Sequence, residues 1–185
     1  MKYIILDRDG VINIDSDDYI RRPEEWHPIP GSLEAIAKLY QAGYMIVVAT
    51  NQSGLERGYF SLETLDAIHQ KMHSMVSKVG GHIEHIFFCP HAPGAHCVCR
   101  KPKPGLINEF ENICGVSCEK INPPFVGDSL RDLQAAIASG CQPILVKTGK
   151  GLATLAKLID WKHETVPVYE NLLQFSEALL ASPST

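Results

Sequence analysis

Asp7-Arg8-Asp9-Gly10 sets two carboxylates two residues apart, directly after the apolar run Tyr3-Ile4-Ile5-Leu6. On an extended segment residues i and i+2 point to the same side, so both acids can serve one reaction centre. One carboxylate can attack phosphorus while the other exchanges a proton with the leaving group. Taken alone, the pair fits a solvated strand end or a helix N-cap equally well. It does not fit a calcium loop, because Gly10 stands fourth from Asp7 rather than sixth and no Glu occupies the twelfth position.

Three other polar clusters extend this chemistry. Thr50-Asn51-Gln52-Ser53-Gly54 offers a hydroxyl and backbone N–H groups that can hold phosphate oxygens, or an ordinary polar turn. In Arg100-Lys101-Pro102-Lys103-Pro104 the prolines fix the backbone and aim cations, and Arg suits bidentate phosphate recognition. Gly127-Asp128-Ser129-Leu130-Arg131-Asp132 carries two acids four residues apart, a pattern that suits a Mg²⁺ site retaining several waters. Separately, Cys89, His91, Cys97 and Cys99 fall within eleven residues. Three thiols and an imidazole make a closed tetrahedral Zn²⁺ set, structural rather than catalytic, with His96 a poorer substitute for His91 because it adjoins Cys97. Cys114, Cys118 and Cys141 lie apart and read as small buried hydrophobes.

The elements that must position these groups alternate. Apolar runs at Tyr3–Leu6, Met45–Ala49, Ile83–Phe88, Phe125–Val126 and Ile144–Val146 each stop at a polar cluster, which fits strands of a parallel sheet covered on both faces. Between them, helical spacing predicts helices opening at Ser32, Ser61, Pro104 and Leu130, with stops near Gly43 and Gly140 and a closing helix over 171–181. Leu62, Leu65, Ile68, Met72, Met75 and Val79 form the expected inward stripe of the second helix. The fold class is α/β: a single doubly wound, Rossmann-like domain over 1–181 and a frayed tail over 182–185. Ligands of such sheets gather at the carboxyl ends of the strands, where all four clusters fall.

With 185 residues and a net charge of -4, the chain can bury one sizeable core and advertises no affinity for nucleic acid. No apolar stretch is long enough to span a membrane and no signal peptide opens the chain, so a cytoplasmic location is expected.

Asp-x-Asp, Thr, Lys and Gly-Asp-x-x-x-Asp, in this order, resemble the four motifs of the haloacid dehalogenase superfamily of phosphatases over residues 2 to about 151. The resemblance implies that Asp7 is the nucleophile and Asp9 the general acid/base. Thr50 and Lys101 would steady the transferring phosphoryl group, and Asp7, the Asp9 carbonyl and Asp128 would bind Mg²⁺. With the Cys-Pro-His…Cys-x-Cys-Arg-Lys-Pro loop and Val146-Lys147-Thr148-Gly149-Lys150-Gly151, the chain is further similar to the D-glycero-D-manno-heptose 1,7-bisphosphate 7-phosphatases. Those act in the synthesis of nucleotide-activated heptose for bacterial surface polysaccharide. The last segment is not a P-loop, since no Gly precedes Gly149 by five positions and no Ser or Thr follows Lys150. The same resemblance implies a small phosphorylated sugar as substrate, and the lack of a large cap insertion suggests a monomer. Specificity would rest on the loop Asp15–Trp26, with Asp15, Ser16, Asp17 and Tyr19 near the sugar, and on Asn51, Gln52, Ser53, Arg57 and Arg100. Histidinol-phosphate phosphatase shares the zinc loop and the motifs. A polynucleotide 3′-phosphatase shares the first two, and a catalytically dead zinc-containing module would need a broken motif.

Overall fold

A computed structural model describes residues 1–158 and 166–181; the tail expected over 182–185 lies outside them. Six parallel strands, β1 (Lys2–Leu6), β2 (Tyr44–Asn51), β3 (His85–Cys89), β4 (Pro124–Gly127), β5 (Gln142–Val146) and β6 (Val168–Tyr169), form one sheet in the order β3-β2-β1-β4-β5-β6. The order reverses between β1 and β4, which pair directly. The chain that leaves these two neighbours therefore opens into a crevice with no strand crossover over it, the place where such sheets bind ligands.

Among the described residues seven α-helices accompany the sheet: α1 (Ser32–Gln41), α2 (Leu62–Lys78), α3 (Gly105–Cys114), α4 (Cys118–Ile121), α5 (Leu130–Ala138), α6 (Gly151–Leu158) and α7 (Leu172–Ala181). Alternation along the strands divides the core in two. Ile4, Leu6, Ile46 and Val48 pack with α1, α2 and α7, while Tyr3, Ile5, Val47 and Ala49 pack with α3, α4 and α5. Between β1 and α1 the chain carries only a 3₁₀ turn at Pro23–Glu25, in keeping with a capless domain.

Several boundaries differ from the sequence reading. Gly31, with φ 83°, is the N-cap of α1; Ser32 is its first residue and donates its hydroxyl to the Ile12 carbonyl at 2.6 Å instead of capping. Ser61 caps α2 as expected, accepting from the Thr64 N–H. Leu62 and Val79 lie at the ends of α2 and are exposed, and Val76 and His69 take up the inward face instead. On α5 it is Ala136 rather than Ile137 that turns inward. Cys118 and Cys141 are buried but Cys114 is only half-buried. The sequence reading placed nothing at α4, α6 or β6.

Candidate active site

The amide of Asp7 donates to the Val126 carbonyl at 2.9 Å, so the β1–β4 ladder continues into the first cluster. Asp7 and Asp128 thereby leave adjacent strands side by side. Lys101 reaches them from the loop beyond β3. Its Nζ, 2% exposed, sits 2.9 Å from Asp7 Oδ1, 2.6 Å from Asp132 Oδ1 and 2.8 Å from the Ala49 carbonyl. Asn51 holds this lysine's backbone from both sides: its amide nitrogen donates to the Lys101 carbonyl and its oxygen accepts the Lys101 N–H, both at 3.1 Å. Asp132, expected from its spacing to partner a metal ion, instead spends one oxygen on Lys101 and the other on the N-cap Ser129, accepting from its N–H and hydroxyl.

The carboxylate oxygens of Asp7, Asp128 and Asp132 lie within 4.8 Å of one another. One lysine faces three buried acids, and the cost of that imbalance falls on Asp7 and Asp128. Burial, then Asp132, raises Asp7 to about 7 against the pull of Lys101, and burial, then Asp7, raises Asp128 to about 8. A divalent cation between Asp7 and Asp128 would remove that strain, so the donor set fits one. Asp9 behaves oppositely. Burial pushes its carboxyl up, but Arg8, Asn13 and Gln52 together hold it below the ordinary carboxylate value.

Thr50 is buried and its Oγ1 accepts from Gln52 Nε2 at 2.9 Å; the same nitrogen reaches Asp9 Oδ2 at 2.9 Å. Gln52 thus ties the first cluster to the second rather than presenting a free amide. Thr148 donates its hydroxyl to the Gly10 carbonyl at 2.7 Å, and the Lys150 N–H donates to Asp128 Oδ2 at 2.7 Å. The Gly-rich turn after β5 is a buttress under the acids. Its fit is tight: a Cβ on Gly10 would stand 2.1 Å from Asp128 Oδ2, and one on Gly149 would meet that oxygen at 2.1 Å and Gly10 Cα at 2.6 Å.

Cys89, His91, Cys97 and Cys99 converge as the sequence predicts, and His96 is not in the cluster. Sγ of Cys89 lies 3.8 Å from that of Cys97 and 3.0 Å from that of Cys99, and His91 Nδ1 lies 3.5 Å and 3.2 Å from Cys89 and Cys99. Tetrahedral bonds of about 2.0–2.3 Å imply ligand separations of about 3.6–3.8 Å, so the cluster is close to zinc-sized. Arg100 follows the last thiol and donates Nη1 to the His91 carbonyl at 3.0 Å.

Asp7, Asp9, Thr50, Asn51, Gln52, Ser53, Lys101 and Asp128 line one cleft with Asp15, Ser16, Asp17, Tyr19 and Arg100. Arg57, expected with them, is exposed and does not line it. A tight turn in which the Arg57 N–H bonds the Ser53 carbonyl carries it to the surface. Arg131 and Lys150 line the cleft unannounced. Arg131 sat inside the fourth cluster, between its two acids, and Lys150 in a Gly-rich turn after a strand, so a signal existed for both. Burial, then the like charge of Arg131, lowers the Arg100 pKa, while Lys150 pairs with Asp15 at 3.2 Å.

An acid pair at the reversal point of a parallel sheet, braced by a buried lysine and backed by a third acid, defines a phosphatase of the haloacid dehalogenase type. Residues 3–139 match the family model described as polynucleotide kinase 3 phosphatase. The chain belongs to that family and to the D-glycero-beta-D-manno-heptose-1,7-bisphosphate 7-phosphatases. The enzyme of that name from Pseudomonas putida is 50% identical over 97% of this chain and 100% of its own. The crystal structure of D,D-heptose 1,7-bisphosphate phosphatase from B. bronchiseptica, complexed with magnesium and phosphate, superposes with TM-score 0.93 at 51% identity, covering 97% of this chain and 98% of that one. Its counterpart from Burkholderia Thailandensis gives 0.76 at 42%, covering 98% and 100%.

Proposed function

We propose that this chain removes the 7-phosphate of D-glycero-D-manno-heptose 1,7-bisphosphate through an aspartyl-phosphate on Asp7. The observation that carries this reading is the buried Asp7–Lys101–Asp132 chain beside Asp128, in a cleft that also gathers Arg100, Arg131 and Lys150. Asp7 attacks phosphorus and the bond from phosphorus to the sugar oxygen breaks. Asp9 gives its proton to that oxygen, then takes a proton from the water that attacks the acyl phosphate, releasing inorganic phosphate and restoring Asp7. The incoming phosphate dianion lies beside Asp9 and favours the protonated acid that the first step needs. Lys101 and Thr50 hold the transferring oxygens, and the three cations at the cleft wall give the distal phosphate a counter-charge. Mg²⁺ held by Asp7, Asp128 and the Asp9 carbonyl would supply Lewis-acid neutralisation of the phosphoryl charge. Zn²⁺ held by Cys89, His91, Cys97 and Cys99 would fold the loop that presents Arg100. A cytosolic monomer completes the reading, checked by light scattering for the mass of one chain.

The match to the polynucleotide kinase 3 phosphatase model favours a second substrate, a polynucleotide 3′-phosphate, handled by the same nucleophile. Phosphate release from the heptose bisphosphate, from histidinol phosphate and from a 3′-phosphorylated oligonucleotide decides among the substrates. A hundredfold preference in kcat/KM for the bisphosphate, about 2.7 kcal/mol of transition-state discrimination, is the expected result. Preference for either of the others overturns the substrate, and turnover by Asp7→Asn overturns the mechanism.

A further inference from the structure

His69 lies on the inward face of α2 among Leu65, Ile68, Met72 and Val76, a stripe that is otherwise apolar, and is only 7% exposed. Its Nε2 is 3.3 Å from Arg8 Nη1. Arg8 is itself buried, and its other donors close on one carboxylate: Nε reaches Asp9 Oδ1 at 3.2 Å, and Nη2 reaches Oδ1 at 2.9 Å and Oδ2 at 3.0 Å. A guanidinium only donates, so His69 Nε2 must be the lone-pair acceptor and the ring proton must sit on Nδ1. Burial, with the Arg8 charge second, holds the ring neutral as that role requires, its pKa lowered to about 3.

Arg8 makes three contacts to the Asp9 carboxylate, all of them through Nε and Nη2. A fourth contact, at Nη1, is the one that runs to a group other than Asp9, and it anchors the guanidinium from outside that carboxylate. An apolar side chain at 69 would pack as well against Phe88, whose ring centroid is 6.1 Å away, but would leave Nη1 unpaired in the core. The histidine therefore answers a polar demand that the fold alone does not make.

We propose that His69 is a positioning residue which, through Arg8, holds the Asp9 carboxyl in the orientation that serves the leaving group. This rests on the reading of Asp9 as general acid. The test compares kcat/KM for the heptose bisphosphate, whose leaving alkoxide needs a proton, with that for 4-nitrophenyl phosphate, whose leaving phenoxide does not. Both rates come from the same preparation, so the ratio is independent of the fraction folded. His69→Leu is expected to lower the sugar rate at least tenfold and the aryl rate less than threefold. His69→Gln, whose oxygen can accept from Arg8, is expected to restore most of the sugar rate. Equal losses on both substrates, no loss on either, or no rescue by Gln overturn the proposal. Asp9→Asn separates the two layers: if it keeps the sugar rate, the acid assignment of Asp9 fails; if it loses that rate while His69→Leu shows no selective loss, only the role of His69 fails.

Discussion

Asp132 shows how much one side chain carries here. It neutralises Lys101, which would otherwise face Asp7 alone, and it closes the capping box of α5 through Ser129. Removing it leaves Lys101 still paired with Asp7, so the cost is that of the lost cap, about 1 kcal/mol, plus one charge-assisted contact, about 1.5 or more, together about 2–4 kcal/mol. Asp132→Ala should lower unfolding free energy by that amount in urea titrations, and Asp132→Asn, whose oxygen can still accept from Ser129, by less. A loss under about 1 kcal/mol for the alanine variant would show that neither contact matters to stability. Asp132 was legible as an acid at the right spacing, but its partner was not. The ion pair joins positions far apart in sequence, and no local pattern announces it. The link from Arg8 to His69 was opaque for the same reason, since the two lie 61 positions apart.

Among elements, β1 to β5 were legible because each is a short apolar run ending at a polar residue. β6 is two residues long and carries no such run, and α6 opens on Gly151, a poor helix former. The convergence of Cys89, His91, Cys97 and Cys99 was legible, because the four fall within eleven residues at a spacing that suits tetrahedral coordination. The loop has little apolar core of its own, so its fold should depend on the ion. Zinc near one per chain is expected in protein purified without chelator. Stripping it, or Cys97→Ser, should free Arg100 from the His91 carbonyl and raise KM for the bisphosphate more than it lowers kcat. Metal analysis finding no zinc, or an unchanged KM after its removal, would contradict this.

Across the whole molecule, Asp7 and Asp128 beneath the cleft couple stability to pH. Asp7 and Asp128 titrate near 7 and 8 in the folded metal-free chain against 3.8 for the ordinary side chain, burial being the first cause in both. The folded state then holds more protons than the unfolded one over that interval. The stability these groups contribute is complete below about pH 4 and is lost as pH rises through 7 to 8. Mg²⁺ competes with those protons. The rise in Tm on adding it should be larger at about pH 8.5 than at about pH 5.5. An equal or reversed difference in calorimetry would place the ion elsewhere.

Gly10 and Gly149 come from opposite ends of the chain and meet over one oxygen of Asp128. Neither leaves room for the other to gain so much as a methyl group, and a side chain on either would push that acid out of the site. Their histories are therefore bound together. A lineage that keeps the chemistry can lengthen the rim loops or exchange the cations of the wall, but it cannot relax either glycine by compensating at the other. The floor of the site is closed to evolutionary drift, and new substrates must be sought at its rim.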